Sequence, residues 1–229
     1  MCNGETFASN DAVTTLEGPD VDAAPARKTA RTVFVVDDDE SFIVSVTRLL
    51  NAAGLSVQAF ASANDFLDAI RPDEPSCLVL DLRMPGMSGL ELQDRLVADG
   101  NPIPIVFLSG HVGFQTGVRA MKTGAVDFLS KPCSDVDLIA SVERALQRDA
   151  RAREARALRE KVRARLARLT PRERQVCDLV ATGLLNKQIG GVLGAAEKTI
   201  KCHRGRVMEK LGVKSVAELV RLVDLAREA

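Results

Sequence analysis

The stretch VFVVDDDESF, residues 33–42, runs four apolar residues directly into four carboxylates and contains no basic residue. Four consecutive β-branched or aromatic residues predict a buried strand. The acids that follow would repel one another at contact distance unless protons or a cation intervene. The stretch therefore predicts a strand that ends at a cation-binding site, and the rest of the chain has to supply the other ligands.

Length and composition bound the class of protein. The chain has 229 residues, of which 46% are hydrophobic and 27% charged, as expected for two ordinary globular domains. The longest apolar runs, such as CLVL (77–80) and PIPIVFL (102–108), have the length of strands and are far too short to span a bilayer. The N-terminus also lacks a basic-then-apolar signal pattern. We expect a soluble, cytoplasmic protein with no membrane partner.

Cysteine and aromatic usage narrows the possible sites and partners. The five cysteines are scattered and form no CxxC pair, so the sequence predicts reduced thiols and no zinc site. Tryptophan and tyrosine are absent, which argues against recognition of single strands or RNA by stacking. A nucleic-acid partner is expected to be duplex DNA.

The net charge of zero hides a strong segregation of charge along the chain. Residues 1–30 carry 2 basic and 5 acidic residues, residues 31–150 carry 10 and 17, and residues 151–229 carry 19 and 9. The partial sums are −3, −7 and +10. An acidic body and a basic tail indicate two parts with different partners.

The order of the predicted elements indicates the architecture. Residues 1–30 lack periodicity and are predicted to be a disordered leader without assigned function. From residue 31, short β-branched runs alternate with amphipathic stretches, which predicts five βα units in a doubly wound parallel sheet. The predicted strands are 32–36, 55–60, 77–81, 104–108 and 126–129. The predicted helices lie near 41–53, 62–70, 89–99, 113–123 and from 135 onward, with caps at Ser62, at Ser88, in the HVG turn (111–113) and at Ser134.

The segment after this unit is predicted to be helical, because residues 147–169 lack Pro and Gly and have leucine and valine at helical spacing. It fits a solvated charged spacer or a dimerising stripe of Leu158, Val162, Leu166 and Leu169. The sequence TPRE (170–173) is a capping box that begins a new helix and a new domain. The predicted units are a domain at 31–147, a helical linker at 148–168 and an all-α domain at 169–229.

Polar residues at the predicted strand ends indicate a functional site. In an open α/β sheet, ligands gather at the carboxyl ends of the strands. Here those ends carry three carboxylates, a hydroxyl and an ammonium group, namely Asp37, Asp38, Asp81, Ser109 and Lys131. Carboxylate oxygens suit Mg²⁺, and a carboxylate beside Mg²⁺ and a lysine is what aspartyl-phosphate chemistry requires.

At VDDD (36–39), DLRMPGMSG (81–89) and the SKP of 130–132, the chain resembles the receiver domain of response regulators, with its flavodoxin-like fold. The segment from SGH (109–111) to SKP is similar to the NarL/FixJ group. This resemblance implies that Asp81 accepts a phosphoryl group, that Lys131 pairs with it, and that the Lys131–Pro132 bond is cis. The implied Mg²⁺ ligands are Asp38, Asp81 and the carbonyl of Arg83, with Asp37 acting through water.

The same resemblance assigns a switch to Ser109 and Phe128, although Phe128 also fits a plain core aromatic. Asp39 and Glu40 are then first-turn acids of a helix. The chain departs from the family at Cys133, where a phenylalanine often follows KP. His111 and Arg83 lie two positions beyond Ser109 and Asp81 and bear on the lifetime of the phosphate.

The basic tail contains four predicted helical stretches, with a short GAAEK break (194–198) between residues 189–193 and 199–211 that indicates helix-turn-helix. Ile200, Val207 and Leu211 form the predicted buried stripe of the second helix. The outer face is basic, as entry into the major groove requires. The candidate DNA-binding residues are Lys198, Thr199, Lys201, Cys202, His203, Arg204, Arg206 and Lys210.

From LTPRERQV (169–176) to LGVKS (211–215), the tail resembles the LuxR-type helix-turn-helix. By that resemblance Lys201 and Cys202 face bases, and Arg204 and Arg206 contact phosphates or support the helix. His203 fits either a phosphate contact or packing against the turn. Gly190 and Gly191 replace better helix formers at a cost of up to roughly 1 kcal/mol each.

Together the two resemblances imply a two-component response regulator and not an enzyme. A partner histidine kinase would phosphorylate it, after which it would form a homodimer, bind duplex DNA and act on RNA polymerase. One alternative is a DNA-binding regulator whose receiver is a phosphorylation-independent dimerisation block. Another is an aspartyl-phosphate hydrolase, although VVDDDES lacks the DxDx[TV] loop such an enzyme needs.

Overall fold

The computed structural model describes residues 31–69, 74–101, 103–110 and 114–227. Its strands form one parallel sheet in the order β2-β1-β3-β4-β5. The strands are β1 (Thr32–Val36), β2 (Ser56–Phe60), β3 (Ser76–Asp81), β4 (Ile105–Ser109) and β5 (Asp127–Ser130). This order is the flavodoxin-like one, and the predicted doubly wound five-stranded sheet is confirmed.

Nine helices lie in the described part of the chain. Five belong to the α/β unit: α1 (Glu40–Ala52), α2 (Ala63–Ala69), α3 (Gly89–Ala98), α4 (Phe114–Lys122) and α5 (Asp135–Ala167). Four follow it: α6 (Pro171–Ala181), α7 (Asn186–Leu193), α8 (Glu197–Leu211) and α9 (Val216–Arg227). None of the helices in these ranges is both long enough and apolar enough to cross a membrane.

Alternating residues of the central strands fill the core on both faces of the sheet. Val33 and Val35 pack in a cluster with residues of α1 and α5, whereas Phe34 and Val36 pack in a cluster with residues of α2, α3 and α4. All four are at most 4% exposed. A parallel sheet covered on both faces requires such uninterrupted apolar strands, which is why the run at 33–36 predicted β1 correctly.

The register of the sheet brings the predicted site residues to one edge. Val36 pairs with Leu80, so Asp37 and Asp81 follow at the same level on neighbouring strands. Ser109 pairs with Ser130, so Lys131 follows on the next strand. The Lys131–Pro132 bond is cis, as the resemblance implied.

Helix α5 spans both parts of the protein without interruption. Its beginning buries Leu138, Val142 and Leu146 in the core of the α/β unit, and its end buries Val162 and Leu166 with α6 to α9. The predicted boundaries at 147/148 and 168/169 therefore fall within and just after one 33-residue helix. A dimerising stripe is contradicted, because Val162, Leu166 and Leu169 are buried within the chain itself and only Leu158 is exposed.

A buried carboxylate that sequence reasoning missed fixes α5 to the sheet. Asp149 is 3% exposed, and its Oδ2 accepts hydrogen bonds from the backbone N–H of Ser76, 2.9 Å away, and from Nε of Arg153, 2.5 Å away. Ser76 begins β3. The helix is therefore tied to the sheet one residue beyond the predicted start of the linker.

The C-terminal helices begin and end as their local sequences predict. Thr170 caps α6 in a capping box with Glu173. Gly194 and Gly212 end α7 and α8 in the left-handed conformation. Gly190 has a packing reason that the sequence did not reveal, because an added Cβ would lie 2.6 Å from the carbonyl oxygen of Ala195 in the turn. Gly191 has open space, so only its helix propensity is unfavourable.

Some expectations concern residues outside the described ranges. They are the leader at 1–30, the HVG turn at 111–113 with His111, and the last two residues of the chain. The expected caps at Ser62, Ser88 and Ser134 are all present, since each hydroxyl accepts a hydrogen bond from the backbone N–H three residues later.

Candidate phosphoacceptor site and nucleic-acid interface

The acids of residues 37–40 have separate environments. Asp37 is buried, and its Oδ2 lies 2.5 Å from Nζ of Lys131. Asp39 turns away and caps α1, since its Oδ1 accepts from the backbone N–H groups of Ser41 and Phe42. It is therefore the N-cap and not a first-turn acid, a role that Glu40 does have. Crowding is relieved by a lysine distant in sequence and by a helix N-terminus.

Lys131 joins the two buried carboxylates of the site. Its Nζ lies 2.8 Å from Oδ1 of Asp81 as well as 2.5 Å from Asp37, and 3.9 Å from the ring centroid of Phe42. The side chains of Asp37, Asp81 and Lys131 are 3%, 8% and 20% exposed. One ammonium therefore serves two carboxylates from which water is largely excluded.

The pKa values show that this compensation is incomplete. Burial raises the pKa of Asp37, and the hydrogen bond from Lys131 does not fully offset it. Burial alone would lower the pKa of Lys131, but its hydrogen bonds to Asp37 and Asp81 raise it. The lysine stays charged, whereas burial disfavours the ionised form of Asp37 more than the lysine favours it.

Asp81 is held with one oxygen toward Lys131 and the other toward the backbone. Its Oδ2 accepts from the N–H of Arg83, 2.5 Å away. Helix α3 begins directly against it, because a Cβ at position 89 would lie 2.2 Å from the carbonyl oxygen of Asp81. Gly89 is thus required for α3 to approach the end of β3 so closely.

The two residues assigned to a switch lie on neighbouring strands. Ser109, at the end of β4, is 1% exposed. Phe128 is half-buried and stacks on Phe107 with ring centroids 5.9 Å apart, packed against the core. This position agrees with the interpretation of Phe128 as a core aromatic, and its role in a switch stays a prediction.

The site offers the oxygen ligands that Mg²⁺ prefers. Asp37 and Asp81 carry more negative charge than Lys131 neutralises, and Asp38, which follows directly, is exposed. Within the described ranges, no three His, Cys, Asp or Glu side chains are already grouped as a metal site. The donor chemistry thus fits Mg²⁺, while in this conformation an ammonium group lies between the carboxylates.

Helix α8 exposes most of the predicted DNA-binding residues. Ile200, Val207 and Leu211 are fully buried, as predicted, and fix which face points outward. The exposed residues are Lys198, Thr199, Lys201, Cys202 and Arg206. They form a solvent-facing surface over the first three turns of the helix.

Three predicted contact residues are engaged or partly buried. Nζ of Lys210 lies 2.6 Å from Oε2 of Glu173, whose side chain is 4% exposed. Nη1 of Arg204 donates to Oδ1 of Asn186, 3.1 Å away, and joins α8 to α7. His203 is partly buried, and its Nδ1 is buried without a hydrogen-bond partner in the described part of the chain. Lys210 is half-buried and its ammonium pairs with a buried carboxylate, so its contact with DNA stays a prediction.

Comparison with known proteins gives two family matches. A model described as "Response regulator receiver domain" matches residues 33–143, and one described as "Bacterial regulatory proteins, luxR family" matches residues 167–223. Nodulation protein W of Bradyrhizobium diazoefficiens is 48% identical over 192 residues, which are 84% of this chain and 85% of that protein. Transcriptional regulatory protein FixJ of the same species is 42% identical over 83% of this chain and 93% of that protein.

Two solved structures are similar over most of the chain. The response regulator StyR superposes with a TM-score of 0.76 at 48% identity, covering 85% of this chain and 98% of that one. Full-length FixJ from B. japonicum gives a TM-score of 0.53 at 40% identity, covering 88% and 98%. The matches extend across both the sheet domain and the helical domain.

Proposed function

Because this chain belongs to the response regulators that join a receiver domain to a LuxR-type DNA-binding domain, it acts in two-component regulation of transcription, and we propose that Asp81 is its phosphoacceptor. The observation that carries the proposal is the position of Lys131, whose ammonium lies 2.8 Å from Oδ1 of Asp81 and 2.5 Å from Asp37. The phosphoryl group comes from a phosphohistidine of a partner sensor kinase.

The chemistry follows from these contacts. An oxygen of the Asp81 carboxylate attacks phosphorus, the P–N bond to the donor imidazole breaks, and that imidazole takes up a proton as it leaves. The product is an acyl phosphate on Asp81. The ammonium of Lys131 stabilises the charge of the phosphoryl oxygens, and the backbone N–H of Arg83 orients the carboxylate.

Receiver domains use Mg²⁺ for this reaction, and the residues that would hold it here are Asp38, Asp81 and the carbonyl of Arg83, with Asp37 acting through water. Bound there, Mg²⁺ would neutralise the negative charge that gathers as a phosphoryl group approaches two carboxylates. The two carboxylates, Asp37 and Asp81, share one ammonium group, and this surplus of oxygen ligands supports the assignment.

The output is binding of duplex DNA by the exposed face of α8. We assign Lys201 and Cys202 to base contacts and Arg206 to a phosphate, with Lys198 and Thr199 at the start of the helix. Arg204 supports α8 through Asn186, and Lys210 is left out because it pairs with Glu173. His203 packs against the turn.

Phosphorylation acts through dimerisation. Asp81 lies in the receiver and α8 in the DNA-binding domain, so the phosphoryl group does not itself contact DNA. Ser109 moves toward the phosphate, and Phe128 adjusts its packing on Phe107, which changes the surface of α4, β5 and α5. Two linked DNA-binding domains then gain effective concentration on paired half-sites, which adds on the order of 10² in affinity. The dimer would contact RNA polymerase at the promoter.

The phosphoacceptor assignment is tested by intact mass spectrometry after incubation with Mg²⁺ and a small phosphodonor. Wild type should gain one acid-stable, base-labile phosphoryl group, and Asp81→Asn should gain none. Asp68→Asn, which removes an exposed carboxylate of α2, is the matched control and should be modified like wild type. Equal uptake by Asp81→Asn and wild type would overturn the assignment.

The dimerisation step needs a separate measurement. Ser109→Ala should accept phosphate on Asp81 but dimerise poorly, as read by sedimentation of phosphorylated and unphosphorylated protein. A phosphorylated monomer that binds DNA as tightly as a dimer would contradict this part of the proposal.

A further inference from the structure

More than half of the net positive charge of the tail lies in residues 151–168, which are the end of α5 with its C-cap, and not in the DNA-binding domain. Residues 151–168 contain 8 basic and 2 acidic residues, a net of +6, whereas residues 169–229 contain 11 and 7, a net of +4. The recognition helix therefore explains only part of the basic character of the tail.

Part of this charge forms an exposed stripe, which we define as Lys161, Arg165 and Arg168. The three residues stand at positions i, i+4 and i+7, on one face of the final turns of α5. All three are exposed, while Val162 and Leu166 on the inner side of the helix are buried. Within the described part of the chain, none of their side chains makes a hydrogen bond or ion pair.

Helix stability accounts for only part of the stripe. Cations in a last turn interact favourably with the helix dipole, which suits Arg165 and Arg168. Lys161 lies further from the end, and like charges at i and i+4, as in Lys161 and Arg165, destabilise a helix. A helix face that contacts only solvent typically carries positive and negative residues in alternation. An anionic partner would remove the repulsion within the stripe.

The stripe is continuous with the DNA-binding domain. Just after it, Thr170 begins α6, and Glu173 in the first turn of α6 binds Lys210 in the last turn of α8 at 2.6 Å. The end of α5 thus lies near the C-terminal end of α8, beyond the first turns that carry Lys201 and Cys202. The phosphate backbone of duplex DNA matches both the positive charge of the stripe and its place beside the DNA-binding domain.

We propose that the stripe of Lys161, Arg165 and Arg168 is a second DNA-contacting surface, which binds backbone phosphates that flank the base pairs contacted by α8. This inference rests on the DNA-binding part of the proposed function. The contact is independent of sequence and adds affinity without adding base preference.

The test is the salt dependence of binding by the full chain to a 30-base-pair duplex of arbitrary sequence, followed by fluorescence anisotropy. The variant Lys161→Gln/Arg165→Gln should flatten the slope of log K against log[salt] by about 2, because each phosphate contact contributes about 0.9. The control Arg48→Gln/Arg95→Gln removes two exposed cations from the receiver and should leave the slope unchanged. Arg206→Gln, in the recognition helix, should flatten it by about 1.

The outcomes separate the two claims. If Arg206→Gln flattens the slope and the stripe variant does not, the stripe is not a DNA contact and the proposed function stands. If the wild type shows no salt-dependent binding to the duplex, the DNA-binding function itself fails. An unchanged slope accompanied by an altered sedimentation coefficient of the protein alone would assign the stripe to an interface between copies of this chain and overturn the inference.

Discussion

Two lysine–carboxylate contacts, one in each domain, look alike and have opposite consequences. In the receiver, Lys131 contacts Asp37 and Asp81, and burial raises the pKa of Asp37. In the DNA-binding domain, Lys210 contacts Glu173 alone, whose pKa the Lys210 hydrogen bond and the backbone of Thr170 lower to about 2. In the receiver, one ammonium group is shared by two carboxylates, which leaves room for a positively charged ligand. In the DNA-binding domain, one ammonium group pairs with one carboxylate that also belongs to a helix cap, and this pair is structural. Burial that the shared ammonium does not offset, together with the second carboxylate, distinguishes the receiver site from the structural pair.

The largest expected effect comes from replacing each of the two lysines with glutamine. Lys131→Gln should slow phosphorylation of Asp81 by about 10²-fold or more, because it removes the cation that stabilises the transferred group. Lys210→Gln should leave that rate unchanged, because its ammonium contacts only Glu173. Both rates can be measured by intact mass against time with a small phosphodonor. Equal slowing by the two substitutions would refute the distinction between the sites.

Removing a carboxylate should change stability in opposite directions at the two sites. Asp37→Asn should stabilise the receiver by about 1 kcal/mol at pH 7, because it removes like-charge repulsion and leaves Lys131 paired with Asp81. Glu173→Gln should destabilise the DNA-binding domain, because Lys210 loses its carboxylate and α6 its charged cap. Hydrogen exchange of the full chain reports the two regions separately. Lower protection of β1 in Asp37→Asn would contradict the comparison.

The pH dependence of the DNA-binding domain should report Glu173. Its pKa is lowered from 4.5 to about 2, so the folded state binds fewer protons than the unfolded state between those values. The stabilising contribution is therefore complete above pH 4.5 and is lost as the pH falls toward 2. Thermal unfolding of wild type should show this loss, and Glu173→Gln should show less of it. Parallel acid profiles of the two proteins would indicate that the pair is not coupled to folding.

The smallest effect is expected at the helix caps. Ser88 and Thr170 both belong to capping boxes, with Glu91 and Glu173 as partners. Ser88→Ala should cost about 1 kcal/mol, as is usual for an N-cap. Thr170→Ala should cost more, because its capping-box partner Glu173 is buried and also binds Lys210, whereas Glu91 is exposed. Denaturant midpoints would rank the two, and equal costs would mean that Glu173 keeps its position without Thr170.

The receiver site was predicted well from the sequence, because its residues lie at the carboxyl ends of strands that their own local sequence identifies. Short apolar and β-branched runs located each strand to within one residue, and the carboxyl-end rule brought together Asp37, Asp81 and Lys131 although they are up to 94 residues apart. The number of lysines per carboxylate was not predictable, because it depends on side-chain directions. Asp39 was correctly placed at the N-terminus of a helix but one position too far in, since it is the N-cap of α1.

The helical domain was predicted less completely. Helical spacing correctly assigned Ile200, Val207 and Leu211 to the core, but spacing alone did not show whether Lys210 pointed to solvent or to Glu173, 37 residues away. Similarly, the sequence showed Gly190 only as a poor helix former, whereas the structure shows that a side chain there would clash with the carbonyl of Ala195. Val162 and Leu166 were recognised as an apolar stripe, but the sequence did not reveal that the stripe is covered from within the chain.

Because α5 is unbroken, the length of the linker sets the rotation of the DNA-binding domain relative to the receiver. Its first half is locked in the receiver core and its last turns in the helical core, so a residue inserted between Asp149 and Val162 turns one domain relative to the other by about 100° and shifts it by about 1.5 Å. Two inserted alanines would rotate the recognition helix by about 200°, whereas seven would return it to within about 20° of its original heading. DNA binding by the phosphorylated dimer should therefore rise and fall with helical periodicity as the linker is lengthened.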